Sequence, residues 1–219
     1  MFERSADNRN EQSVAVKLRK RRFGFFRSLL ARLERPLHVL DIGGTENYWK
    51  TMGLTPEDQV FVTLLNVSTE TVSLPYLSCQ VGDARKIEAA DQSFDVVFSN
   101  SVIEHVGDYQ EQAKMADEVR RVGQRYFVQT PNKYFPLEPH FLFPFFQFMP
   151  LRTRCWLVQH FSLGWFPKTP DPILARELVD SIRLLTKVEF LMLFQDGSIY
   201  EEKVFGMAKS FVAYGGWDQ

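Results

Sequence analysis

The stretch 36-PLHVLDIGGTENYW-49 runs apolar up to an acid and then meets two glycines. Leu37 to Ile42 has the texture of a buried parallel strand, short and continuously apolar. Gly43 and Gly44 would form the turn out of that strand, with Asp41 at its tip. Glycine has no Cβ, so backbone at such a turn can approach a ligand closely. In open α/β sheets, ligands bind beyond the carboxyl ends of the strands.

Working outward, three further apolar runs read as strands: QVFVTLLNV (59–67), FDVVFSN (94–100) and RYFVQTPN (125–132). Tyr109 to Val122 reads as a helix, with Met115, Val119 and Val122 at helical spacing. Strands alternating with helices indicate an α/β fold built on a mainly parallel sheet. Near the end, ILARELVDSIRLL (173–185) reads as a helix, and VEFLMLF (188–194) and KSFVAYG (209–215) as two strands, an antiparallel pair.

Residues 36–219 would form one domain, interrupted at 133–166 by an aromatic segment and preceded at 1–35 by a polar leader and a basic helix. In that helix Phe25, Leu29, Leu30 and Leu33 share a face. The favoured reading packs this face on the edge of the core. The other rests the helix on an anionic membrane surface. Segment 133–166 holds many of the chain's 20 phenylalanines. Three readings stay open for it: a lid over an apolar acceptor, a patch in peripheral contact with a membrane, and a satellite core.

The formal net charge of -1 argues against a nucleic-acid binder that works by bulk charge. The N-terminus lacks the apolar region of a secretory signal, and no apolar run reaches the length that spans a bilayer. Cys79 and Cys155 have no metal-like spacing and read as plain thiols. A cytoplasmic protein is expected.

Two kinds of cofactor compete for the glycine turn. A dinucleotide site wants G-x-G-x-x-G, with the pyrophosphate on a helix N-terminus. Here Gly43 and Gly44 are followed by Thr45, Glu46, Asn47 and Tyr48. Glu46 would set an anion against an anion. A phosphate-free cofactor carrying a sulfonium and an ammonium suits the turn better.

Asp41-Ile42-Gly43-Gly44 resembles motif I of the class I S-adenosylmethionine-dependent methyltransferases. The likeness continues in order through Asn66, Gly82-Asp83-Ala84, SFDVVFSNSVIEHV and the TPN of 130–132, covering roughly residues 37–135. It implies a Rossmann-like three-layer sandwich whose seven-stranded, mainly parallel sheet ends in an antiparallel strand. It implies S-adenosylmethionine as cofactor. Asp41, Gly43 and Gly44 would shape the methionine side, Asn66 would hold the ribose, Asp83 and Ala84 the adenine, and Asn100 would border the methyl group. Thr45 and Asn47 replace further glycines of the motif. Asn47 is read as taking left-handed angles in their place, and Thr45 as narrowing the loop. The ribose ligand is usually acidic, so the amide of Asn66 gives up a charge-assisted bond.

Ser101-x-x-Glu104 fits a capping box. SVIEH (101–105) is also similar to the E-V-x-E-H stretch of ubiquinone-biosynthesis and small-RNA O-methyltransferases, which hold a divalent ion. Ser101 replaces the first glutamate, so no metal is expected. His105, and His140 in PLEPH, are the candidate general bases, since a histidine suits deprotonation of a phenol or activated hydroxyl. The expected function is methyl transfer to a small-molecule or lipid-like acceptor, at oxygen. The alternative is a methyltransferase-like binding subunit without activity. Nucleic acid is not an expected partner.

Overall fold

The computed structural model describes residues 14–217. The polar leader lies almost wholly outside the described residues. The chain runs α1 (Val14–Leu30), β1 (Leu37–Ile42), α2 (Glu46–Met52), β2 (Val60–Asn66), β3 (Leu77–Val81), β4 (Val96–Asn100), α3 (Tyr109–Val122) and β5 (Tyr126–Pro131). A short hairpin, β6 (Leu137–Glu138) and β7 (Phe143–Pro144), is followed by α4 (Leu151–His160), α5 (Pro172–Asp180) and α6 (Lys187–Leu193), then β8 (Ser198–Val204) and β9 (Met207–Gly215).

Seven strands form one sheet in the order β3-β2-β1-β4-β5-β9-β8. β1 to β5 are mutually parallel, and β9 is antiparallel between β5 and β8. This is the expected three-layer, Rossmann-like α/β architecture. Successive side chains of β4 point to opposite layers: Phe98 joins the core under α1 and α2, while Val97 joins the core under α3 and α6. The carboxyl ends of β1, β2 and β4 therefore open on one rim, where Asp41, Asn66 and Asn100 stand.

The basic helix packs on the core, but through a face shifted from the expected one: Phe25 is only half-buried and Leu33 lies beyond the helix end. Phe23, Phe26, Leu29 and Leu30 are buried, and Phe26 lies against Phe98 and Phe127. Arg22 is buried as well, although a cation in a basic helix reads as solvated.

Three expectations fail. VEFLMLF is α6, not a strand. Thr186 caps it, its hydroxyl accepting from the Glu189 N–H while the Glu189 carboxylate accepts from the Thr186 N–H. The resulting turn buries Phe190, Leu193 and Phe194 on one face, the i, i+3, i+4 pattern of a helix. The strand that partners β9 is instead the polar SIYEEKV of β8. SVIEH is not a capping box either. Ser101 has φ 58, in the left-handed region, whereas an N-cap residue is extended. The Ser101 hydroxyl donates to the Gln129 side chain, and Glu104 is fully buried. The helix expected over 173–185 ends at Asp180.

Segment 133–166 packs a small core of its own with α5, in which Phe141 and Phe146 stack at 4.1 Å between ring centres beside Val158, Ala175 and Val179. Trp156, Phe161 and Trp165 remain exposed. No helix among the described residues is long and apolar enough to cross a membrane.

Candidate functional site

Gly43 is the meeting point of two cavities at the rim of the sheet. One, of about 270 Å³, is bordered by Asp41, Gly43, Gly44 and Asn100, with Arg19 reaching in from α1 and Tyr48 from α2. The other, of about 440 Å³, is bordered by Gly43, Asn66, Asp83, Ala84 and His105. All seven residues expected to touch the cofactor thus line one cavity or the other.

The turn between them needs its glycines. Gly43 has φ 72, and a Cβ there would come within 2.5 Å of Val102. A Cβ on Gly44 would overlap the Asp41 carboxylate outright. Thr45 does not narrow the loop: its backbone is extended, at φ -131, and its hydroxyl caps α2 at the Tyr48 N–H. Asn47 lies inside α2 and is not left-handed. The missing glycines are unnecessary because α2 starts immediately after Gly44.

Asp41 is 1% exposed and accepts a hydrogen bond of 2.7 Å from the Trp49 indole. Burial pushes its carboxyl up to about 8, against the lowering effect of that bond. A buried carboxyl with one donor is poised to ionise when a cation arrives. In the same cavity the Tyr48 hydroxyl is buried without a hydrogen-bond partner among the described residues, and the Arg19 guanidinium stands 6.0 Å from the Tyr48 ring centre. The cavity therefore presents an acid, a cation and an unused hydroxyl to one occupant, as a zwitterionic methionine end requires.

Asn66 donates to the Gly44 carbonyl at 2.9 Å and to the Glu70 carboxylate at 3.4 Å, leaving its amide oxygen as an acceptor. Glu70 was not visible as a site residue from the sequence. Lying four residues beyond β2, it restores an acid beside the amide. Asp83 is held below the usual carboxylate range by hydrogen bonds from Arg85, which also pairs with Glu111. The side-chain oxygen of Asn100 accepts from Arg22.

The two histidines meet. The His105 and His140 rings are edge to face, with centres 4.8 Å apart. Nδ1 of His140 is 2.7 Å from Glu138, and Nε2 is 3.9 Å from Glu104. Glu138, which sequence reading missed, also accepts from the backbone of His140 and Phe141. Its position two residues before the histidine is the only signal the sequence carries. Burial works to lower the His140 pKa, but the bond and charge of Glu138, with Glu104 behind, outweigh it and raise it. Burial of the ring and the neighbouring His140 hold His105 below its ordinary value, although its edge reaches solvent. Burial lifts Glu104 to about 7, and the oxygen nearer His140 has no hydrogen-bond partner among the described residues. Glu104, His105 and His140 each offer one ligand atom within 4.8 Å of the others. They are the residues that could hold a cation, with Glu138 fixing the His140 ring from behind.

Residues 45–125 match the family model described as "Methyltransferase domain". The protein Rv1509 of Mycobacterium tuberculosis (strain H37Rv) is 39% identical over 71 residues, which cover 32% of this chain. The match spans only 24% of that relative's length. Among solved structures, the CurJ carbon methyltransferase aligns with TM-score 0.56 at 14% identity, over 93% of this chain and 55% of its own. The PH0226 protein from Pyrococcus horikoshii OT3 aligns with TM-score 0.54 at 16% identity, over 96% and 93% of the two chains. At these identities the likeness is one of fold. The chain is thus similar to methyltransferases in two ways: residues 45–125 match the methyltransferase-domain model, and the fold over nearly the whole chain is that of these solved structures.

Proposed function

We propose that the protein transfers the methyl group of S-adenosylmethionine to an oxygen of a small-molecule or lipid-like acceptor. The observation that carries this reading is the pair of cavities meeting at Gly43, one zwitterion-ready and one apolar. Arg19 and the free Tyr48 hydroxyl would receive the methionine carboxylate, and Asp41 the ammonium. Asn66 and Glu70 would take the ribose hydroxyls, and Asp83 and Ala84 border the adenine. The cofactor supplies an electrophilic methyl on a sulfonium, so the protein's remaining task is to align the acceptor and take its proton. His140 would do this: with Nδ1 anchored on Glu138, Nε2 is left as the base.

Calorimetry with S-adenosylhomocysteine tests the reading. A saturable heat that Gly44→Ala abolishes supports it. No heat with either this product or S-adenosylmethionine rejects it and leaves the alternative, a binding subunit without activity. Two observations favour that alternative: Asp83 is already engaged by Arg85, and Asn100 by Arg22. A ligand would have to displace the first and accommodate the second.

A further inference from the structure

A third cavity, of about 450 Å³, lies beyond the histidine pair. Glu138, which holds His140, forms part of its wall. So do Gly107 and Asp108, the residues that follow His105 and Val106 of the cofactor rim. Its apolar side is the stacked pair Phe141 and Phe146 with Val179.

The charges on its wall are unequally spent. Glu138 accepts three hydrogen bonds from His140 and Phe141. Asp108 caps α3 through two N–H groups, and Asp180 pairs with Arg176. Arg183 is committed to Gln112 and Glu189. Lys133 and Arg154 have no ion pair among the described residues, and the Arg154 Nε is buried without an acceptor. Gln147 donates to the Lys133 and Phe135 carbonyls, and its own oxygen is left buried and unpaired.

Arg154 is also set against its own helix. It lies in the first turn of α4, which has no acid there and no side-chain cap. A cation at the positive end of a helix is unfavourable unless an anion compensates it. A buried guanidinium N–H without an acceptor is costly too, because it has given up its hydration with nothing in return. Two unspent cations, an unpaired amide and an aromatic wall converge on one space. That combination fits a compact oxyanion joined to an apolar body.

We propose that this cavity is the head-group subsite of the acceptor, with Lys133 and Arg154 binding a carboxylate or phosphate and Phe141 and Phe146 receiving the apolar part beside it. Assigning the subsite to the acceptor rests on the methyltransferase reading, whereas anion binding there does not.

The test is fluorine NMR titration of the full chain with 4-fluorobenzoate, 4-fluorophenyl phosphate and, as the neutral control, 4-fluorobenzyl alcohol. At least one anion should bind ten times or more tighter than the alcohol, and the tighter of the two identifies the head group. Arg154→Met and Lys133→Met should each weaken it at least tenfold, and Arg154→Lys should recover part of the loss. S-adenosylhomocysteine affinity, measured on the same samples, should be unchanged, which also shows that the variants are folded. Anions binding no better than the alcohol, or binding Arg154→Met as well as the parent, would overturn the subsite. If the parent binds the anion but not S-adenosylhomocysteine, the subsite stands and its assignment to a methyl acceptor falls.

Discussion

Arg22 grips both carboxylate oxygens of Glu202, at 3.0 and 2.6 Å, across 180 residues of chain. Both side chains are buried, and the same guanidinium donates to Gln129 at 2.7 Å and to Asn100. Ser210 donates to the Glu202 carboxylate. One cation thus fastens α1 to β4, β5 and β8, directly behind the cavity into which Arg19 projects. Removing one partner of a buried pair strands the other charge, so Arg22→Met should cost about 3–5 kcal/mol. Replacing both, as Arg22→Met with Glu202→Leu, should return most of that loss. Urea unfolding of the single and double variants measures the difference.

Gly44 faces Asp41 with no room for a methyl group. Gly44→Ala should therefore expel the Asp41 carboxyl from its bond to Trp49, at a cost of about 1–3 kcal/mol from overpacking. It should also abolish binding of S-adenosylhomocysteine, whereas Gly24→Ala, where a Cβ meets nothing within 4 Å, should leave binding unchanged. Calorimetry beside thermal melts separates the two effects.

Asp41 ties affinity to pH. In the free protein its carboxyl stays protonated up to about 8, while the unfolded chain ionises near its ordinary 3.8. Across that interval the unfolded state holds fewer protons, so the carboxyl's contribution to stability falls as pH rises and levels off above about 8. A bound ammonium favours the ionised form, so binding should release a proton and tighten from pH 6 to 8. Asp41→Asn should flatten both trends. Measuring binding heats in buffers of different ionisation enthalpy counts the proton directly.

Glu138 sets the state of the His140 ring. Glu138→Gln removes the charge that raises the His140 pKa, so the ring should titrate at lower pH than in the parent. The acid limb of any rate profile that needs neutral His140 should move the same way, with a lower plateau because the ring loses its anchor. NMR titration of the imidazole carbon follows the shift without knowledge of the acceptor. An unmoved titration would separate Glu138 from His140.

Glu70 should matter more than its exposed loop implies. Glu70→Gln leaves the Asn66 amide in place but removes the charge beside it. The affinity for S-adenosylhomocysteine should fall by about 1.5–3 kcal/mol if the carboxylate receives a ribose hydroxyl. Calorimetry against 5′-methylthioadenosine, which keeps the ribose and lacks the amino-acid end, should show the same loss.

β1, β2, β4 and β5 were legible because their apolar runs are largely buried, whereas the partly exposed β3 and β8 were not. LHVLDI is β1 to the residue, and Met115, Val119 and Val122 are the buried stripe of α3. VEFLMLF defeated the same reasoning because a seven-residue apolar run has no visible period. Thr186 and Glu189, the capping box in front of it, were the discriminating signal. Ser101 and Glu104 have that spacing too, but the left-handed Ser101 turns the chain away and buries the acid. Spacing alone does not distinguish the two. Arg22, Glu70 and Glu138 were illegible for a different reason: each gains its role from a partner brought close by the fold, and nothing local sets them apart from solvated charges.

The clasp between Arg22 and Glu202 has a consequence for biosynthesis. Arg22, three residues after Arg19 on α1, meets its buried counter-ion only after some 180 further residues have been made. Until then the Arg22 guanidinium lacks its buried carboxylate, and α1, which carries Arg19 to the cavity wall, lacks that clasp. The nascent chain should be unable to hold its cofactor until translation has passed β9, through which β8 joins the sheet, so a ribosome stalled before Glu202 would display only the five parallel strands with an unfinished pocket.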